Sequence, residues 1–424
     1  METKFYLKRK KIILFTFICG KDERTEMKNC YLVLEDGEIF GGTSFGAGAP
    51  KAPELFLEKS GTGGMGEIVF NTSMCGYHEM LTDPSYTGQM VVLTYPHAGN
   101  YGCMGDWSER GPDEAFMPEI KLSGLIVRSL HSGPVPKGRI SLNAFLKENG
   151  VPGIQDVDTR ALTLRLRDRG NCNGVLVSPS AGDSLSKEEI HLALSFLKNV
   201  PSMEGRNLLS AVGTRKERNI QSQGSLHFTV VDCGLKVAIL RELSLRGVSS
   251  RVVPWSASAE EMLESSPDGV LFSNGPGDPS VLSSLVGSIR ELLGKVPVFG
   301  ICLGHQLITH ALGGTTRKMK FGHHGCNHPV RDERTGRVLV TSQNHGFESD
   351  GDSLPFGTDV WFRNANDGSV EGIRHRSLPV LSCQFHPEAA PGPGDSLWIF
   401  DEFIKMSAAF AEKKELLSCL PAGI

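Results

Sequence analysis

The sequence predicts a two-domain α/β protein: an N-terminal, mixed and β-rich α/β domain, followed by a doubly wound, mainly parallel sheet. Three observations carry this. From Phe228 onward, strand-like and helix-like segments alternate, the order that builds a parallel sheet. Before Val200 the apolar runs are short, β-rich and punctuated by glycine, with few long helical patterns. Between them the polar stretch Pro201 to Gln223, with Thr214-Arg-Lys-Glu-Arg-Asn219, breaks the periodicity and reads as a linker. The expected divisions are an extension at 1–26, a first domain at 27–200, a linker at 201–226, a second domain at 227–412 and a tail at 413–424. A chain of 424 residues is ample for two or three such cores.

Within the extension, Lys8 to Lys11 followed by Ile12 to Ile18 resembles the basic and apolar regions of a signal peptide, but the apolar run is too short to span a bilayer. Asn29 to Leu34 reads as the first strand. In the second domain Phe228 to Asp232 is a strand, Lys236 to Arg246 a helix and Gly269 to Ser273 a strand. A helix follows with Leu282, Leu285, Val286, Ile289, Leu292 and Leu293 on one face, ending at Gly294. Val296 to Ile301 is short, apolar and uncharged, which suits a strand buried on both faces. Leu303 to Leu312 is then a helix stopped by Gly313-Gly314, and Val380 to Phe385 is another buried strand. There is no internal repeat or low-complexity tract.

The chemistry concentrates where the strand ending at Ile301 meets its helix. Gly300-x-Cys302-x-Gly304 is the thiol version of a nucleophile elbow, in which small neighbours permit a sharp turn and leave the reactive atom at the strand's end. The helix N-terminus favours negative charge on the sulfur, and the N–H of Leu303 is a candidate oxyanion donor. A thiol nucleophile needs an imidazole to take and return a proton, and the imidazole needs a third group to orient it. His386 and Glu388, just past the Val380 to Phe385 strand, supply both. The loop Asn274-Gly-Pro-Gly277 follows a strand and lacks bulky side chains, so its backbone can approach a substrate closely. Read alone, that Gly-Pro-Gly is also an ordinary turn and Asn344-His-Gly346 a hairpin turn.

Other classes are excluded by composition. A net charge of -4 without long basic runs after the first dozen residues argues against nucleic acid. The ten cysteines show no C-x-x-C pairs, so neither a disulfide framework nor a zinc knuckle is indicated, and a reducing cytoplasm suits them. His305, His310, His323, His324, His328 and His345 lie on separate elements without metal-ligand spacing, so no metal is expected. No G-x-x-x-x-G-K-[ST] phosphate loop is present.

Gly300-Ile-Cys-Leu-Gly-His-Gln306 with Gln384-Phe-His-Pro-Glu388 resembles the class I, triad-type glutamine amidotransferases, which have a flavodoxin-like sheet. Ser273-Asn-Gly-Pro-Gly-Asp-Pro279, Lys318 to His324, Gln343 to Phe347 and Pro391 to Asp395 resemble, within them, the small chain of carbamoyl-phosphate synthase. Gly66 to Tyr77, Leu81 to Tyr86, Thr94 to Tyr101 and Asp156 to Arg160 are similar to the N-terminal domain particular to that small chain. The resemblance implies a triad of Cys302, His386 and Glu388. It implies glutamine contacts from Gly275, Gly277, Ser73, Leu303, Gln306, Asn344, Gly346 and Phe347. It further implies glutamine hydrolysis through a thioester, no cofactor in this chain, and a large synthetase chain that holds ATP with Mg and receives ammonia, as in pyrimidine and arginine biosynthesis. Family chains begin with a strand such as Asn29 to Leu34 directly after a methionine, so Met27 is the expected initiator and the location cytoplasmic, where the partner has ATP.

Four positions depart from the family pattern: Cys326 for a second glycine, Cys233 for an aromatic, Ala390 for serine and Gly394 for histidine. If the backbone at 326 took positive φ, a side chain there would add strain. Two other readings are an amidotransferase subunit of a different synthase, which the N-terminal domain argues against, and a non-catalytic stabilising small chain, which retention of Cys302, His386 and Glu388 argues against.

Overall fold

The apolar runs collect into separate cores on the two sides of the polar stretch at 201–226. A computed structural model describes residues 29–56, 63–111 and 119–418, with backbone only for 414–418. The expected extension and the initiator Met27 lie outside the described residues. Among the described residues no helix is long and apolar enough to cross a membrane.

In the N-terminal half, Asn29–Leu34, Ile39–Gly46, Pro152–Gln155, Gly124–Ile126, Gln89–Leu93, Met65–Asn71 and Cys172–Val177 neighbour one another in that order and close into a barrel. Its strands mix parallel and antiparallel pairings. Alternation along each strand divides the side chains. Ile68, Met90, Ile126 and Ile154 join one core, while Val69, Val91 and Leu125 join another with Tyr77, Met80, Leu142 and Phe145. Closure removes the open edges that a short-stranded sheet would expose.

The C-terminal half is the expected doubly wound sheet. Ser249–Pro254, His227–Asp232, Gly269–Phe272, Val298–Ile301 and Val380–Cys383 lie side by side and parallel. Numbered by their own sequence, that order is 2-1-3-4-5, and the strand order reverses next to His227–Asp232. Val237–Leu245 and Ile399–Ser418 cover one face through Ile239, Leu243, Phe400 and Phe403. Ser283–Leu292 and Leu303–Leu312 cover the other through Leu285, Ile289, Leu307 and Ile308.

Three features differ from the sequence expectation. The sheet continues as an antiparallel extension, Val370–His375, Val338–Ser349, Thr316–Asp332 and Thr358–Asn364. Asn344-His-Gly346 therefore lies within a strand, where His324 pairs with Asn344, and not at a hairpin tip. The stretch at 201–226 is structured as well: Leu209–Ala211 is a helical turn, Arg218–Ile220 an edge strand, and Met203 is buried. The final helix runs through 413 to Ser418, across the expected start of the tail.

The two halves meet at the carboxyl end of the parallel strands. Thr72 donates from its N–H to the His324 carbonyl at 3.0 Å, and Asn171 likewise to Lys320 at 2.9 Å. Lys318 Nζ stands 2.7 Å from Glu67 Oε1, and the Ala238 N–H donates to Glu109 Oε2 at 3.0 Å.

Candidate active site

Cys302 sits between the strand Val298–Ile301 and the helix Leu303–Leu312 with φ 54° and ψ -104°, a backbone region non-glycine residues rarely adopt. Its N–H donates to the Cys383 carbonyl at 2.9 Å, which ties the turn to the adjacent parallel strand. Glycine is required on either side because helix and sheet touch there. A side chain on Gly304 would collide with the Phe272 carbonyl, and one on Gly300 with the backbone of Gly304. Leu303 is the first residue of the helix, so its N–H has no intrahelical acceptor.

The neighbouring parallel strand delivers the imidazole. After Val380–Cys383 the chain turns, and His386 Nδ1–H donates to Glu388 Oε1 at 2.7 Å with both residues buried. His386 Nε2 is buried without a hydrogen bond, while the Cys302 thiol is near enough to be one of the groups that raise the imidazole pKa. Burial disfavours charge on His386, but the Glu388 carboxylate outweighs it and the pKa is pushed up to about 10. Burial likewise opposes ionisation of Glu388, yet Lys236 and His386 hold it down to about 2.

Lys236 is a buried group of the candidate site that sequence reasoning passed over. It is fully buried, with Nζ 3.0 Å from Glu388 Oε1 and donating to the Ala389 carbonyl. Burial opposes its charge, but Glu388, Glu109 and Asp83 hold its pKa above the ordinary lysine range. A carboxylate taken out of water needs such a partner. Gln384 is another: its Nε2 donates to Cys302 Sγ at 3.6 Å, and its Oε1 accepts from Gln306 at 3.0 Å.

One cavity opens over the sulfur. Gly275, Gly277, Gln306, Asn344, Gly346 and Phe347 line it with Cys302, so six of the eight residues expected to contact substrate converge. Leu303 is buried beside it, against Gly275. Ser73 does not line it; its hydroxyl donates to Cys326 Sγ at 3.0 Å, on the border of a separate cleft. The pocket hydroxyl from the N-terminal half belongs instead to Ser85, which accepts from Asn274 Nδ2 at 3.0 Å. The cause is local. Asp83 accepts from the Ser85 N–H at 2.9 Å, capping a short turn that begins with Pro84, and its other oxygen accepts from Asn344 Nδ2 at 2.9 Å. This corner projects into the other domain's site.

The four departures are accommodated. Among the described residues Cys326 is not one of those with positive φ; its thiol donates to the Pro391 carbonyl at 3.2 Å. Cys233 is buried, with its N–H on Ser273 Oγ at 2.9 Å. Ala390 does take positive φ, at 47°. Nothing in the structure gives Gly394 a role. Among the other histidines, His305 bridges Ser382 and Ser349, His310 meets Thr316, and His324 Nδ1 lies 2.9 Å from Asn344 Oδ1.

Residues 229–406 match the model for glutamine amidotransferase class-I, and residues 32–176 that for carbamoyl-phosphate synthase small chain, CPSase domain. A carbamoyl phosphate synthase small chain of Methanopyrus kandleri is 46% identical over 377 residues, covering 88% of this chain and 98% of the relative. Those of Methanocaldococcus jannaschii and Akkermansia muciniphila are each 44% identical, covering 88% and 89% of this chain and 98% and 97% of the relatives.

Proposed function

Because this chain belongs to the family of carbamoyl-phosphate synthase small chains, we propose that its pocket hydrolyses L-glutamine through a covalent intermediate on Cys302 and passes the ammonia to a large synthetase chain. The observation that carries the reading is one cavity lined by the Cys302 thiol and six expected substrate contacts, with the Glu388-oriented His386 buried next to that thiol.

The sulfur attacks the side-chain carboxamide carbon as a thiolate, forming a carbon–sulfur bond. The carboxamide oxygen takes the negative charge and is held by backbone N–H groups from Leu303 and the Gly275 to Gly277 loop. His386, as imidazolium, donates its Nε2 proton to the departing nitrogen, the carbon–nitrogen bond breaks, and ammonia leaves a γ-glutamyl thioester. Neutral His386 then takes a proton from water, the resulting hydroxide attacks the thioester, and glutamate departs as the thiolate returns. Glu388 keeps the imidazole oriented, and Lys236 keeps Glu388 ionised without competing for the proton. Gly275, Gly277, Gln306, Asn344, Gly346 and Phe347 hold the amino-acid portion, with Ser85 in place of Ser73. The large chain would hold ATP with Mg, which would supply the phosphoryl group, leaving as ADP, when ammonia and bicarbonate are converted to carbamoyl phosphate in the cytoplasm, for pyrimidine or arginine synthesis.

The test is direct. Glutamine is added to the purified chain, the reaction is quenched in acid, and peptides are mapped for a glutamyl adduct on Cys302. An adduct that disappears in Cys302→Ser together with ammonia release supports the route. Undiminished hydrolysis by Cys302→Ser would overturn it.

A further inference from the structure

A second buried histidine cluster lies behind the pocket. His323 Nε2–H donates to Asp367 Oδ2 at 2.8 Å, while Nδ1 stands 3.4 Å from Glu371 Oε1 and 3.2 Å from the Gln343 side-chain oxygen. Glu371 is completely buried, and its Oε1 also accepts from Asn364 at 3.1 Å. The site offers one atom each from His323, His345 and Glu371 within 4.8 Å of one another, as a metal would need. The side-chain amide of Gln343 already occupies the middle, 2.7 Å from His345 Nε2.

What the cluster grips is the strand that carries the substrate contacts. From Gln343 the polar contacts continue to His345, whose Nδ1 stands 2.8 Å from the Phe347 carbonyl. Gln306 donates to the same carbonyl at 2.8 Å and to Gln384, which in turn donates to Cys302 Sγ. An unbroken line of polar contacts thus runs from the Asp367–His323–Glu371 cluster through the glutamine-binding strand to the nucleophile.

We infer that His323, bonded between Asp367 and Glu371 and to Gln343, is a positioning residue that fixes the Gln343 to Phe347 strand and thereby sets how tightly the pocket binds glutamine. The inference rests on the glutaminase reading above. The groups facing the imidazole are Asp367 and Glu371 from the 365–375 segment, His345 from the paired strand, and His324 and His328 from its own strand. Burial opposes the charge on His323, but the two carboxylates prevail and push its pKa up to about 10, while His345 is held well below the ordinary value. The cation therefore persists through neutral pH and is lost only as pH rises through that higher value.

The experiment measures glutamine hydrolysis by the full chain in complex with its large chain, across pH 6 to 10, for wild type, His323→Asn, Glu371→Gln and Asp367→Asn. His323→Asn is expected to raise the KM for glutamine at least tenfold while kcat changes less than threefold and ammonia-dependent synthesis is unchanged. Asp367→Asn removes a carboxylate that holds the proton, so its KM should begin to rise at a lower pH than that of wild type. Glu371→Gln keeps the side-chain shape and should show the same shift if His323→Asn fails to fold. An unchanged KM, a loss confined to kcat, or coincident KM–pH profiles for wild type and the Asp367 variant would each overturn the inference. So would stoichiometric zinc retained at the cluster after dialysis against zinc alone. If wild type itself releases no ammonia from glutamine, the failure belongs to the glutaminase reading.

Discussion

His386 and His323 are both buried, both pressed against a carboxylate and both pushed up to about 10, yet their positions ask opposite things of them. His386 has one nitrogen on Glu388 and leaves the other without a partner on the side of the sulfur. His323 has both nitrogens committed, one to Asp367 and one shared by Gln343 and Glu371. His386 turns its second nitrogen toward the candidate nucleophile, where a proton can be exchanged with a reacting group; both nitrogens of His323 face side chains that only hold it in place. The difference teaches that a shifted pKa marks burial and charge, while the open valence marks chemistry.

Substitutions can break this comparison. The largest effect is expected for His386→Asn, which should lower glutaminase turnover by roughly 10³-fold or more, as removal of a triad base does; His323→Asn should stay near wild-type turnover, both measured as ammonia release. If the two variants lose turnover equally, the division of roles is wrong. Glu388→Gln should lose one to two orders of magnitude less than His386→Asn, since orientation rather than proton transfer is removed. Lys236→Met leaves a buried carboxylate without its cation. That change should cost about 3 kcal/mol or more of stability by urea unfolding, a sensitivity the lysine-free His323 cluster lacks.

Smaller effects test the pocket and the acid limb. Ser85→Ala should raise the KM for glutamine by about threefold to tenfold through loss of one hydrogen bond, and Ser73→Ala should leave it unchanged in the same assay. Glu388 has a folded pKa of about 2, below its unfolded value, so its contribution to stability is present above the ordinary carboxylate range and lost as pH falls through that lower value. The Tm difference between wild type and Glu388→Gln should therefore narrow as pH is lowered from 5 toward 2.

The elbow at Cys302 was legible in the sequence because its constraints are local. Two glycines, a cysteine and a helical pattern fit only a sharp turn, and the structure shows the contacts that demand those glycines. His386 and Glu388 were legible for the same reason, being two residues apart. Lys236 was not, because a lysine opening a helix ordinarily stays in water, and only the folded chain brings Glu388 and Glu109 around it. Ser73 and Ser85 both lie in segments similar to the family's. Which one reaches the pocket depends on Asp83 capping its turn and gripping Asn344, a contact across 261 residues. The strand Thr316–Asp332 and its partner were hidden because bulges interrupt the alternation that would have announced them.

The corner formed by Asp83, Pro84 and Ser85 has one further consequence. Synthesis proceeds from the N-terminus, so this corner and Gln89 are made long before residue 302 leaves the ribosome. That part of the wall precedes the Cys302 sulfur, and a C-terminal half expressed alone would lack Ser85 and Gln89 from the cavity over its thiol. Such a fragment would offer glutamine an incomplete pocket, and should bind that substrate more weakly than the whole chain does.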